Sequence, residues 1–424
     1  MNEKIILGCI ADDFTGAGDA ASFIARAGLK TLLYNGIPKK DAAADADAVV
    51  IALKTRTEKT GLAVEESLKA VEWLQRHGTE HFYSKYCSTF DSTPEGNIGP
   101  VLDAVLEKLN VKYSILCPAL PVNGRTVENG ILYVNGKPLA ESSMRYHPLT
   151  PMRESSVKKL MEPQSKYPCI ELNREELGQP EEMLKELFRK EGEKHEHFYV
   201  IPDHMDDSDA ERIAELFGGL KVLSGGSALL TALGEKYMQH NEPRSSLEPA
   251  TDGKAIILAG SCSEATRRQI LEFREAGYKA YKIDPQKLLS GKENSDTIWE
   301  RVKNDFSDNT ILLYSSDTPQ NVKEIQAMGK EKIAGLIEKC LSDLAVTAKR
   351  NGAKRIIVAG GETSGAVTKA LDYSAYQIGE SVAPGVPIMI PLENPEVRLI
   401  LKSGNFGAPD FFLKALELTG ERKE

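Results

Sequence analysis

The chain has 424 residues, 41% hydrophobic and 27% charged, with 34 Gly and 21 Pro, which excludes collagen-like, disordered and disulfide-scaffold classes and favours two domains. Lys and Arg number 53 against 62 Asp and Glu, a formal net charge of −9 without a basic block, so a nucleic-acid partner is disfavoured and an anionic ligand needs positive charge gathered locally. The six Cys form no CxxC pair; zinc-knuckle and redox-dithiol readings fail, leaving reduced thiols of a cytoplasmic protein.

The opening MNEKIILGCIADD carries acids where a signal peptide would be apolar, and no apolar run approaches the ~20 residues of a membrane span, so no membrane partner is expected. Residues 5–10 read as a short buried strand, and similar apolar runs recur at 48–53, 113–117 and 198–201. Between them, AVEESLKAVEWLQRH sets Val64, Leu68, Val71 and Leu74 at helical spacing. In ILYVNGKPL, Asn135-Gly136 signals a two-residue hairpin. At 241–253, NEPRSSLEPATDG loses all periodicity and fills with Pro, Ser and acids; this marks the boundary between domains over 1–242 and 250–424. Beyond it, strands are expected at 255–259, 310–314, 355–359 and 386–390, with EKIAGLIEKCLSDLAVTAKR as the clearest amphipathic helix. Strand and helix alternate in both halves, which predicts two α/β domains with largely parallel sheets and an active site in the cleft between them.

Ligands of open α/β sheets bind where strands end. In IADDFTGAGDAA, Asp12 and Asp13 follow the first strand, Thr15 could cap the next helix, and Gly16 and Gly18 let the backbone approach a bound group. A single Asp there is most often only a cap; two adjacent acids before a Gly-rich turn carry more. YSKYCSTFDSTPEGNIGP packs Lys85, Ser88, Thr89, Asp91, Ser92 and Thr93 between a strand and a helix opening near Gly96-Asn97, a polar density suited to a small hydroxylated ligand. CPALPVNGRTVENG contributes Arg125, and RYHPLTPMRES contributes Arg145, His147 and Arg153. Each Arg alone would normally be solvated, but guanidinium groups from several loops, with Lys85 and Arg56, would clamp a carboxylate or phosphate.

In the second half, LAGSCSEATRRQI runs from a strand through Gly260, Ser261 and Ser263 into a helix, and VAGGETSGAVTKAL does the same through Gly360, Gly361 and Thr363. Small residues at helix starts present free N–H groups to phosphate, although one such turn alone could be only close packing. Two of them, with LKSGNFGAPD, point to a nucleotide. Walker GxxxxGK[ST] and Rossmann GxGxxG motifs are absent, as are GxSxG, HExxH and the EF-hand loop. The seven His are scattered, with His195 and His197 expected on a solvated surface and no metal site predicted.

The ordered set ADDFTGAGDAA, SKYCSTFDSTPEGNIGP, CPALPVNGRTVENG, HPLTPMRES, GSCSEATRRQI, GGETSGAV and LKSGNFG, spanning about residues 5 to 415, resembles the four-carbon acid-sugar kinase family. The resemblance implies an N-terminal domain for the sugar acid and a C-terminal domain for ATP, with phosphorylation of the acid's terminal hydroxyl. Its STFDSTPEGNIG form inclines towards 3-oxo-tetronate (3-dehydrotetronate) as the acid over threonate or erythronate. Carried over by motif, ATP contacts would come from Ser261 or Ser263, from Gly360, Gly361, Glu362 and Thr363, and from Gly404. Residue chemistry assigns Asp12, Arg56, Lys85, Ser88, Arg125 and His147 to the acid, Asp13 or Asp91 to proton abstraction, and Mg²⁺ to the ATP phosphates. Local likeness to the DTxGAGD motif of ribokinase-type kinases makes Asp19 a second-rank base. The rival of another class is a sensing module that binds acid and nucleotide without turnover; a homo-oligomer is compatible with the sequence.

Overall fold

The computed structural model describes residues 4–39, 45–146, 150–239, 247–308, 310–317, 320 and 329–420. The chain divides into two compact units, Met1–Ser245 and Ser246–Glu424. Among the described residues no helix is long and apolar enough to cross a membrane.

In the first unit the apolar runs become β1 (Leu7–Ala11), β2 (Thr31–Asn35), β3 (Ala48–Ala52), β4 (His81–Lys85), β5 (Tyr113–Ile115), β6 (Arg125–Glu128), β7 (Ile131–Val134), β8 (Lys137–Pro138), β9 (Cys169–Leu172), β10 (Phe198–Pro202) and β11 (Val222–Gly225). Strands β11, β4, β1, β3 and β2 lie side by side in that order, all parallel. Every residue of β1 and β3 is buried, as a sheet covered on both faces requires. Strands β5, β10 and β9 form a second parallel sheet. The hairpin β7–β8 turns at Asn135 (φ 51°) and Gly136 (φ 76°), the positive pair a two-residue turn needs. Ala11 is in register with both Ala52 and Lys85, and Lys85 with Gly225. The loops that follow these strands therefore leave the sheet at one end.

The second unit continues with β12 (Lys254–Ala259), β13 (Lys279–Lys282), β14 (Ile311–Tyr314), β15 (Ala353–Ala359), β16 (Ala375–Ala383), β17 (Val386–Pro391) and β18 (Arg398–Lys402). Strands β13, β14, β12, β15 and β18 are parallel, but β16, β17 and β18 run antiparallel. The expectation of a largely parallel sheet misses this part because Pro384-Gly385, with Gly385 at φ 76°, closes a hairpin where a crossover helix would otherwise stand. Ala259 is in register with Tyr314 and Ala359, and Ala359 with Lys402. Four strands thus deliver their following turns to one end.

Each unit has its own buried cluster, one around Trp73, Phe82, Leu106 and Tyr199 and one around Ile257, Phe273, Ile400 and Phe411. Helix Thr60–Arg76 turns a different face inward from the one its bulkiest residues suggest. Ala63, Ser67, Ala70, Val71, Trp73 and Leu74 are buried, while Val64 and Leu68 are only half-buried, because small residues let the helix sit close on the sheet. His197 is also buried, not solvated, with its Nδ1 at 2.8 Å from the Val111 carbonyl.

Candidate functional sites

In the first unit the loop after β1 begins helix Phe14–Arg26, and its cap is Asp13, whose Oδ1 accepts from Gly16 N–H at 2.7 Å. Thr15 lies inside the helix, exposed, so it does not cap. Arg56, from the loop after β3, donates Nε to Asp12 Oδ2 at 2.9 Å and Nη2 to Asp12 Oδ1 at 2.7 Å, and pairs with Asp13 Oδ1 at 3.0 Å. Burial opposes its charge, but the bidentate bond to Asp12 outweighs it and keeps the guanidinium protonated. Arg56 is thus absorbed by two aspartates and is not the open carboxylate clamp the sequence suggests.

Lys85, at the end of β4, is 4% exposed and donates to the Tyr86 carbonyl at 2.9 Å. Its ammonium and Asp13 both flank Gly16, where a Cβ would lie 3.2 Å from Lys85 Nζ and 2.5 Å from Asp13 Oδ1. The backbone beyond it is strained, with Phe90 at φ 63° and Asp91 at φ 40°, a conformation held by its surroundings and common at ligand sites. Asp91 accepts from Thr89 Oγ1 at 2.8 Å, and Ser88 is half-buried in the same turn. Asp12, Arg56, Lys85, Asp91, Ser92 and Asn97 line one slot of about 30 Å³, room for a water or two and not for a four-carbon acid. Part of the polar density of this loop is therefore structural: Ser92 donates to Gln164, and Asn97 to the carbonyls of Thr55 and Glu58.

Asp19, one helical turn along from the cap, accepts from the Ser227 hydroxyl, and its other oxygen is buried without a hydrogen-bond partner. Burial raises its pKa, against the opposing fields of Lys85 and Arg125. Arg125 opens β6, donates Nη1 to the Asn123 carbonyl at 2.5 Å, and keeps a buried Nε without a partner. Asp12, Asp13, Asp19, Arg56, Lys85, Asp91 and Arg125 thus form one group of interacting charges. Arg145 and Arg153 are exposed and do not belong to it. His147 lies outside the described residues.

In the second unit three turns interlock. Gly260 and Ser261 N–H donate to the Ala359 carbonyl, and Gly360 N–H to the Lys402 carbonyl. Ser263 caps helix Glu264–Glu275 through Thr266 N–H and donates to the Gly404 carbonyl at 2.5 Å, to which Thr266 Oγ1 also donates at 2.9 Å. A Cβ on Gly404 would fall 2.3 Å from Ser261 Oγ, and Gly360 sits at φ 130° with its Cβ position 3.1 Å from Ser261 N. Helix Gly361–Leu371 starts without a side-chain cap, so the N–H groups of Gly361, Glu362 and Thr363 stand open. These turns line a cleft of about 510 Å³ whose other wall is Pro285, Ile333, Ala334 and Ile337, with Asp317, Glu331 and Glu338 among its lining. Such a cleft combines an apolar slot for a base, carboxylates for ribose hydroxyls and open N–H groups for phosphate. The Glu362 carboxylate would repel phosphate, so its backbone N–H is the useful group. Ser261, Ser263, Gly360, Gly361, Glu362, Thr363 and Gly404 all meet here. Lys402, whose ammonium reaches Thr266 Oγ1 and the carbonyls of Ser403 and Gly404, went unnoticed in LKSGNFG because only the packing brings it to this turn. Among the described residues no three His, Cys, Asp or Glu side chains form a metal-binding group.

Two family models match the chain, a sugar-binding N-terminal domain over residues 7–233 and a nucleotide-binding C-terminal domain over residues 256–412. Curated relatives named 3-oxo-tetronate kinase include a Brucella melitensis protein, 41% identical over 98% of this chain and 96% of its own length. A Pseudomonas fluorescens relative of the same name is 41% identical over 98% and 97%. Among solved structures, a Salmonella typhimurium LT2 protein bearing the name of a tRNA synthase matches with TM-score 0.91 and 36% identity over 96% of this chain and 98% of that one. A Haemophilus influenzae protein from a family without assigned function matches with TM-score 0.86 and 37% identity over 97% and 99%.

Proposed function

The chain belongs to the four-carbon acid sugar kinase family, and from that premise we propose that it is an ATP-dependent kinase that phosphorylates the terminal O4 hydroxyl of 3-oxo-tetronate. The observation that carries the ATP side is the convergence of three small-residue turns on the uncapped start of helix Gly361–Leu371. Ser261, Ser263, the N–H groups of residues 360–363 and Gly404 would cradle the phosphates. Mg²⁺, held mainly by phosphate oxygens and water, would supply charge neutralisation when bound. The net charge of −9 supports a small-molecule reading over an RNA partner.

On the acid side, Lys85 and Arg125 supply positive charge for the substrate carboxylate. Arg56 holds Asp12 and Asp13 in place. The O4 oxygen attacks the γ-phosphorus while the bond to the β–γ bridging oxygen breaks, leaving ADP, and the hydroxyl proton passes to Asp13 or Asp91. Asp13 suits the role better: its side chain is one-third exposed, whereas Asp91 faces a slot too small for the acid.

An ADP-release assay with ATP, Mg²⁺ and a panel of four-carbon acids tests this reading. The highest kcat/KM is expected with 3-oxo-tetronate and a product phosphorylated at O4. Preference for threonate or erythronate would move the chain to another branch, and ADP release no faster than with ATP alone would favour the sensing module.

A further inference from the structure

The mechanism above leaves one buried cation without a task. Lys402 ends β18 with a side chain 1% exposed. Its three N–H donors go to Thr266 Oγ1 at 3.1 Å, the Ser403 carbonyl at 3.1 Å and the Gly404 carbonyl at 2.9 Å. All three acceptors are neutral, and among the described residues its ammonium forms no ion pair. A buried ammonium with no counter-charge is expensive to keep. The Gly404 carbonyl it holds is the one Ser263 and Thr266 also bind, directly behind Ser261.

We propose that Lys402 is a positioning residue for the nucleotide, a fixed positive charge set behind the turns of residues 260–263 and 403–404 whose missing counter-ion is the polyphosphate. The proposal rests on the kinase reading. With all its donors spent, the ammonium does not ligate a phosphate oxygen itself. It acts through the turn it ties and through a field that strengthens with each phosphate, undiminished by water in a buried site. Burial lowers its pKa to about 8, so it remains charged at neutral pH but close enough to titration for an arriving anion to draw a proton onto it.

The test measures binding of ATP, ADP, AMP and adenosine to the full-length wild-type protein and to Lys402→Met by calorimetry without the sugar acid. A charge role predicts a loss of at least about tenfold for ATP, a smaller loss for ADP and little change for adenosine. An equal loss for all four ligands, or none, would overturn it, since a merely structural tie does not count phosphates. If Lys402→Met fails to fold, the wild-type protein still decides the matter through ATP binding at pH 8.5 in two buffers of different ionisation enthalpy. Proton uptake is expected with ATP and not with adenosine. The titratable groups on neighbouring elements are Glu264, Arg267 and Arg268 on helix Glu264–Glu275, Glu362 at the start of helix Gly361–Leu371, and Asp410 and Lys414 at helix Phe411–Thr419; at pH 8.5 the carboxylates are ionised and the Arg and ordinary Lys protonated. Equal uptake for ATP and adenosine would overturn the proposal. Failure of the wild-type protein to bind ATP at all would overturn the kinase reading and this one together.

Discussion

Asp12 and Asp13 are adjacent but differently committed. Asp12 gives both oxygens to Arg56, whereas Asp13 shares one oxygen between Arg56 and the Gly16 N–H and stays reachable. Asp13→Asn is therefore expected to lower kcat at least about 100-fold. Asp91→Asn, at a left-handed position where Asn is well tolerated, should lower kcat about tenfold or less. If neither change slows turnover, Asp19 becomes the carboxylate to test, since it has an oxygen to spare. A second residue-scale prediction concerns His204, fully buried with its Nδ1 at 3.3 Å from Cys117 Sγ. Burial lowers its pKa from 6.5 to about 4 against the opposing field of Asp209. The unfolded chain takes up this proton near pH 6.5 and the folded protein only near pH 4, so stability falls as pH drops through that window, by about 3 kcal/mol in all. His204→Leu, which leaves no unpaired polar ring, should flatten the loss of urea resistance between pH 7 and 4.5.

At the scale of elements, the strand-to-helix turns are the working parts, and their geometry is enforced by glycine. Gly360 adopts φ 130° hard against Ser261 N, a conformation a side chain rarely takes. Gly360→Ala should raise KM for ATP about tenfold or more while leaving KM for the acid within about twofold, given a strain of order 1–3 kcal/mol confined to that turn. These turns were legible in the sequence because GGET, GSCS and SGNFG announce themselves by composition. What composition could not convey is which donors remain open. Arg56 looks like a clamp in KTRT and is spent on Asp12. Lys402 looks like an ordinary strand lysine and reaches a threonine 136 residues away in the chain. The inward face of helix Thr60–Arg76 was misread for a related reason: bulk predicts burial only where the sheet leaves room, and here Ala63, Ser67 and Ala70 take the contact.

At the scale of the molecule, the alternation of apolar runs and amphipathic segments was enough to read two α/β units, because strand burial and helix periodicity are local properties. The antiparallel β16–β17–β18 part was not legible, since pairing direction depends on which strand a hairpin returns to. The segment that follows the unstructured-looking stretch is pinned by the buried Arg398, whose guanidinium donates to the carbonyls of Glu248, Pro249 and Ala250; a run with no periodicity thus still receives a fixed end. The pairing of Arg56 with Asp12 and Asp13 has a last consequence for how the substrate arrives. Four carboxylates, Asp12, Asp13, Asp19 and Asp91, stand among three cations, Arg56, Lys85 and Arg125, within a chain of net charge −9. No attractive long-range field draws an anion in, so diffusional encounter is unsteered. Raising ionic strength from about 0.01 to 0.15 M, which shortens the Debye length from roughly 30 to 8 Å, should leave kcat/KM for the acid unchanged or higher, where an electrostatically guided enzyme would slow.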